Sequence, residues 1–215
     1  MTGEDVELSQ RVPTVTFQET SRAILRSILL CSVLFLAAFS IKPIAAQELS
    51  NVRRTEDVIY GRKDGLALTL DVFQPSQPNG CGIVYLVNGG WLSSKSTPRM
   101  QNITPEYYTS FLKRGYTVFA VVTSSQPKYA IPDLIADSQR AVRFIRANAA
   151  RFGVRPDRLG VTGSSSGGHL TLAVATMVIP GKADAMDPVE RVGSEVQAAA
   201  CFFPPTDFLN YGGPG

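Results

Sequence analysis

A serine flanked by small residues is the clearest chemical signal in this 215-residue chain. Residues 163–167 follow the pattern G-x-S-x-G, with Ser165 at the centre, between a short apolar run and a segment whose apolar residues have helical spacing. In a strand–turn–helix setting, the strained turn exposes a serine hydroxyl and tolerates only small neighbours. The start of the helix also favours negative charge beside the serine. The pattern predicts Ser165 as a catalytic nucleophile; the alternative is an ordinary Gly/Ser turn.

The base that such a serine requires is not evident in the sequence. The single histidine, His169, follows Ser165 by four residues. A residue at that spacing is carried away along the outgoing helix, so we expect His169 to pack near the site rather than to accept the serine proton. Either the chain stops before the segment with the acid and base, which its length favours, or it is a non-catalytic relative.

A glycine turn after the apolar run 82–87 is predicted to complete an oxyanion hole. Acyl transfer places negative charge on the former carbonyl oxygen, and preorganised backbone N–H groups stabilise that charge. One donor would be the N–H of Ser166, directly after the nucleophile. The second would come from Gly89 or Gly90, because glycine allows close approach of the backbone and a positive φ. Alone, these glycines would be read as an ordinary turn.

Strand-like and helix-like segments alternate after residue 56, which indicates an α/β fold with a mostly parallel, doubly wound sheet. In such a sheet the ligand site lies beyond the carboxyl ends of the strands, so Ser165 and the turn at 88–91 are expected to face each other. The predicted strands are 66–73, 82–87, 117–122, 159–162 and 196–203, and the predicted helices are 105–114 and 132–152.

Residues 1–46 are predicted to be a leader, and residues 47–215 a single, partial domain. Two arginines precede an apolar run at 28–41, and small residues precede Gln47, as in a secretory signal. The run is shorter than the roughly 20 residues that a membrane span needs. We expect export to the periplasm or the cell exterior; the alternative is an uncleaved membrane anchor at 23–41.

Charge and cysteine content restrict the partners. The net charge is only +3, and aromatic and basic residues do not interleave, so no nucleic-acid partner is expected. Cys81 and Cys201 fall on predicted strands with another strand between them, about 9–10 Å apart. A disulfide needs alpha carbons within about 7 Å, so two free thiols are expected.

Three segments together resemble the α/β-hydrolase superfamily, in its esterase/lipase-like branch of hormone-sensitive-lipase and feruloyl-esterase type. They are Leu-Asp-Val-Phe-Gln-Pro at 70–75, Asn-Gly-Gly-Trp at 88–91 and the serine motif at 163–170. The resemblance implies a serine carboxylic-ester hydrolase that forms an acyl-enzyme on Ser165 and takes a small-molecule ester. It implies no metal and no other cofactor. It also implies an acid and a histidine later in the chain than the serine.

Two departures from that family shape the functional prediction. The usual His-Gly-Gly-Gly motif reads Asn88-Gly89-Gly90-Trp91 or, shifted by one, begins at Val87. The chain stops at Gly215, so a C-terminally truncated domain that lacks the last strands, and is inactive or weak, is expected. Asp207 is expected to cap a turn or helix. A non-catalytic exported or anchored binding module and a peptidase or amidase remain alternatives.

Overall fold

The computed structural model describes residues 51–94 and 108–211, all within the compact unit Gln47–Gly215. The predicted leader lies outside the described residues. Within the described ranges, no helix has the length and apolar character needed to cross a membrane. The elements in chain order are β1 (Arg53–Lys63), β2 (Leu66–Gln74), β3 (Gly82–Leu86), α1 (Thr109–Leu112), β4 (Thr117–Val122), α2 (Ile131–Ala147), a 3₁₀ turn (Ala149–Phe152), β5 (Leu159–Ser164), α3 (Ser166–Thr176), a 3₁₀ turn (Pro188–Arg191) and β6 (Ala198–Phe202).

These strands form a six-stranded sheet in the order β1-β2-β4-β3-β5-β6. The neighbouring strands β4, β3, β5 and β6 are parallel to one another, which confirms the predicted α/β sheet. β1 and β2 form an antiparallel hairpin at one edge, and β2 is antiparallel to β4. The sequence analysis did not predict β1. Its signal was the Asp64-Gly65 turn, whose φ values of 48° and 77° suit a two-residue hairpin loop.

Both faces of the central strands are covered, as in a doubly wound fold, whereas the edge strand β6 is largely exposed. Along β4, Phe119 and Val121 face the cluster that includes residues of α2 and α3. Val118 and Ala120 face a second cluster, which includes Leu112 of α1. Burial on both sides explains why these strands read as continuous apolar runs. α1 is shorter than the predicted helix at 105–114, of which residues 105–107 lie outside the described ranges.

Helix α2 was the clearest helix in the sequence, and the structure confirms its buried face. The helix ends at Ala147, and a 3₁₀ turn carries the chain on to Gly153, whose φ of 65° closes the segment. Asp133 caps the start by accepting the N–H of Ala130 at 3.0 Å. The predicted face is buried along its whole length: Leu134, Ser138, Ala141, Val142, Ile145 and Ala149.

Two arginines of α2 hold the long connection between α3 and β6. The Nε of Arg143 donates to the carbonyl of Val192 at 2.8 Å. The guanidinium of Arg146 donates to the carbonyls of Gly193 and Glu195. Both arginines are buried, and these bonds satisfy their donors. The connection is thus fixed to the helix through its backbone as well as through ion pairs of Asp187 and Glu190 with arginines of α2.

A strand of the sheet separates the two cysteines, as the sequence predicts. Cys81 immediately precedes β3, Cys201 lies in β6, and β5 separates those strands. Both thiols are free.

Candidate active site

Ser165 lies in the turn between β5 and α3, with φ 52° and ψ −126°. An L-residue rarely adopts a positive φ, and such strain persists only where the surrounding structure enforces it. The N–H of Ser165 donates to the carbonyl of Phe202 in β6 at 2.9 Å, and its carbonyl accepts from the N–H of His169 at 3.0 Å. The turn is therefore bonded on both sides, to the neighbouring strand and to the first turn of the helix.

The glycines of the motif are required by close backbone contacts. A Cβ on Gly163 would lie 2.5 Å from the carbonyl oxygen of Gly167. A Cβ on Gly167 would lie 2.6 Å from the carbonyl oxygen of Leu86, at the end of β3. Neither oxygen belongs to a side chain that could rotate away. The two glycines of the G-x-S-x-G pattern are thus needed because α3 packs tightly against β5 and β3.

The turn that follows β3 distinguishes the two glycines predicted as oxyanion donors. Gly89 donates its N–H to the carbonyl of Leu92 at 2.9 Å and accepts from the N–H of Leu92 at 3.1 Å. Gly90 and Trp91 form the tip, with φ values of 60° and 59°. A Cβ on Gly90 would meet no atom within 4 Å, and no described residue accepts its N–H. Among the residues that the structure describes, the N–H of Gly90 is thus not engaged, whereas that of Gly89 is.

The glycine turn and the serine turn are joined by a buried side-chain bond. Ser166, the first residue of α3, donates its hydroxyl to Oδ1 of Asn88 at 2.7 Å. The Nδ2 of Asn88 donates to Oγ1 of Thr123, in the loop after β4, at 3.3 Å. The structure thus brings together the two segments that the sequence predicts to face each other. Apart from its place beside the glycines, nothing in the sequence indicated that Asn88 would form these two hydrogen bonds.

A second set of polar contacts anchors the loop after β4. The backbone N–H and the hydroxyl of Ser124 donate to Oδ2 of Asp137 on α2, at 2.9 and 2.5 Å. The other oxygen of Asp137 accepts from Nζ of Lys63 on β1 at 3.1 Å. In turn, the hydroxyl of Ser93 accepts from the N–H of Thr123 at 3.0 Å. A buried carboxylate on the scaffold thereby fixes a loop that holds the glycine turn.

His169 packs beside the site, as the sequence predicts. Its Nδ1 accepts from the indole N–H of Trp91 at 3.4 Å, and its ring lies edge-on to Phe208 with centroids 4.8 Å apart. Burial lowers the pKa of His169, which favours the neutral ring. Among the described contacts, no hydrogen bond joins this ring to the hydroxyl of Ser165.

Asp207 has the predicted turn-capping role. Its Oδ1 accepts from the N–H groups of Leu209 and Asn210, at 3.1 and 3.3 Å. The side-chain hydrogen bond from Asn210 is the main cause that lowers the pKa of Asp207. Within the described ranges, no group of three or more His, Cys, Asp or Glu side chains is arranged to hold a metal ion.

Two curated proteins similar to this chain are described as an ester hydrolase and an esterase. The chain is 26% identical over 156 residues to the probable carboxylic ester hydrolase LipM of Mycobacterium tuberculosis, covering 71% of this chain and 35% of LipM. It is 28% identical over 166 residues to esterase LipQ of the same organism, covering 73% and 37% respectively. The chain thus spans about a third of the length of these curated relatives.

A solved structure shares the fold. Esterase 2 of Thermogutta terrifontis, phosphoramylated by tabun, is 26% identical, with a TM-score of 0.55 over 77% of this chain and 61% of that enzyme. The sequence profile of the BD-FAE family matches residues 70–214, which include the glycine turn and the serine turn. The chain therefore belongs to the BD-FAE family, within the esterase/lipase-like branch of the α/β-hydrolase superfamily.

Proposed function

We propose that this chain carries the nucleophile and the oxyanion donors of a serine hydrolase that acts on small-molecule carboxylic esters. The observation that carries the proposal is the conformation of Ser165, with φ 52° and ψ −126°, in a turn enforced by the approach of Gly167 to β3. Strain of this kind is retained where function needs it. The esterase relatives support the same chemistry.

In the proposed reaction, Oγ of Ser165 attacks the carbonyl carbon of the ester while its proton passes to a base. The carbonyl electron pair moves onto oxygen, and its return breaks the bond to the alkoxy group, which leaves as the alcohol by taking the proton from that base. The acyl-enzyme that remains is then hydrolysed by water. The transient oxyanion accepts from the backbone N–H groups of Ser166 and Gly90. Ser166 begins the 11-residue helix α3, whose positive end favours the same charge.

We also propose that the 215-residue chain alone hydrolyses activated esters only weakly. A serine hydroxyl is a poor nucleophile until a base accepts its proton. His169, the only histidine, is bonded to Trp91, and no described residue accepts the hydroxyl proton of Ser165. An acid and a histidine outside these contacts would complete the site.

Covalent labelling tests the nucleophile. The chain is incubated with an alkyl fluorophosphonate, and the adduct is located by peptide mass mapping. We expect a slow, single addition at Ser165 that is absent in Ser165→Ala and unchanged in Ser76→Ala, an exposed serine between β2 and β3. An unlabelled wild-type protein would favour the non-catalytic binding module instead. Rapid turnover of p-nitrophenyl acetate, lost in Ser165→Ala, would contradict the weak activity but not the nucleophile.

We further propose that the protein is exported and that its mature chain begins near Gln47. The charged flank, apolar run and small residues of the leader support this proposal. Intact mass and N-terminal sequence of the protein as its source produces it test the cleavage. A product that retains residues 23–41 in the membrane fraction would favour the anchor.

A further inference from the structure

Asn88 is a buried amide placed between the two segments that carry the proposed oxyanion donors. It follows β3, lies two residues before Gly90 and is 7% exposed. Its two partners are buried as well: Ser166 is 1% exposed and Thr123 4%. A buried polar side chain is tolerated where its hydrogen-bonding groups are satisfied, and here both ends of the amide are bonded.

The partners of Asn88 determine which way its amide points. Thr123 donates its own hydroxyl to the carbonyl of Ser124 at 2.9 Å, so toward Asn88 it can only accept. The NH₂ group of Asn88 must therefore face Thr123, which leaves Oδ1 to accept from the hydroxyl of Ser166. Asn88 needs a donor and an acceptor at once, and an aspartate or an aliphatic residue cannot supply both.

The hydrogen bond between Asn88 and Ser166 connects the residues that carry the two proposed N–H donors through only a few atoms. Ser166 carries one proposed N–H itself, and Asn88 stands next to the turn that carries the N–H of Gly90. A Cβ on Gly167 would also lie only 3.4 Å from the backbone oxygen of Asn88, so the two segments are in close contact. The separation of the two N–H groups thus depends on few intervening atoms.

We propose that Asn88 is a positioning residue for the oxyanion hole, which it aligns by bonding the glycine turn to the first residue of α3. This inference rests on the proposed function. Oxyanion donors are effective only when they are held in place before the charge develops. Loss of Asn88 is expected to impair the chemical step while leaving the binding of the uncharged reagent largely intact.

Asn79, an exposed asparagine, provides a control at the opposite end of β3. Its Nδ2 donates to the carbonyl of Arg114 at 2.8 Å, and its Oδ1 accepts from the N–H of Cys81 at 2.8 Å. Asn79→Ala therefore also removes a bifunctional amide that joins two segments, but far from Ser165 along the strand. The test set is Asn88→Ala, Ser166→Ala, the double variant and Asn79→Ala.

The first measurement is the reaction of the protein, as its source produces it, with an alkyl fluorophosphonate, resolved into the binding constant KI and the rate constant k2. For Asn88→Ala we expect k2 to fall about 10- to 100-fold, with KI changed less than about threefold. The double variant is expected to react no more slowly than the slower single variant, because the two side chains act through one bond. Asn79→Ala is expected to keep k2 and KI.

The second measurement is amide hydrogen exchange, which does not depend on reactivity. Asn88→Ala is expected to accelerate exchange in the glycine turn and in the first turn of α3 together, whereas Asn79→Ala should accelerate neither. An unchanged k2, additive losses in the double variant, or exchange that rises on one side only would overturn the positioning role. Failure of the wild-type protein to form an adduct would instead refute the proposed function, and the positioning role would fall with it.

Discussion

Replacing Ser165 by glycine is expected to stabilise the protein relative to alanine at the same position. The φ of 52° and ψ of −126° at Ser165 strain any residue that has a Cβ, at a cost of roughly 1–3 kcal/mol. Alanine keeps that strain, whereas glycine relieves it. The freedom that glycine adds to the unfolded chain offsets about 0.5–1 kcal/mol of the gain. The net advantage of Ser165→Gly over Ser165→Ala is therefore about 1 kcal/mol.

Urea denaturation followed by circular dichroism measures this difference. An unchanged slope with a higher midpoint for Ser165→Gly indicates a change in stability alone. For a domain of about 150–250 residues, the gain corresponds to about 2–4 °C in Tm. The control is Ala136→Gly against the wild type, at an exposed position in the interior of helix α2, where glycine should be the less stable by about 1 kcal/mol. If Ser165→Gly is no more stable than Ser165→Ala, the turn is not strained.

Three further perturbations follow from the contacts of the site. Gly167→Ala places a Cβ 2.6 Å from the carbonyl oxygen of Leu86. In urea denaturation we therefore expect the free energy of unfolding to fall by about 1–3 kcal/mol, and the variant should no longer be labelled by the fluorophosphonate. Retained labelling would contradict this prediction. Asp137→Ala removes the acceptor of the buried Ser124, so the free energy of unfolding is expected to fall by about 3 kcal/mol in the same experiment. A decrease of less than about 1 kcal/mol would show that water replaces the carboxylate. Burial lowers the pKa of His169, so the unfolded chain takes up this proton first as pH falls: the free energy of unfolding should be flat above about pH 6.5 and decrease below it, and His169→Gln should remove that decrease between pH 7 and 5.5.

Local patterns in the sequence predicted the parts of the fold that local physics determines. The serine motif specifies its own turn, because glycine is needed wherever strand and helix backbones approach closely. The buried face of α2 follows from helical spacing, and the parallel strands from their apolar runs. β1 was missed because burial reaches only part of it, and its hydrogen bonds to β2 matter more than its composition. The Asp64-Gly65 turn was its one local signal.

Within the site, the contacts that join distant segments were not predictable. Asn88 and Ser166 lie 78 residues apart in sequence, and Ser124 and Asp137 become partners only when α2 packs beside the loop after β4. The register of the glycine motif was open in the sequence, which favoured Gly90 over Gly89 on that ground alone; which N–H the turn itself uses is seen only in the structure. Residue type identified the chemistry, whereas tertiary contacts determined which atoms are available for it.

The way α2 holds the connection between α3 and β6 has an evolutionary consequence. Besides their ion pairs with Glu190 and Glu195, Arg143 and Arg146 bind that segment through its carbonyl oxygens, which every amino acid presents alike. A position such as Val192, which contributes only its carbonyl, can then exchange its side chain without loss of that bond, whereas the two arginines cannot. A surface of this kind can accumulate mutations while its backbone path stays constant. Selection can thus reshape the connection between the serine helix and the last described strand without disturbing the serine turn.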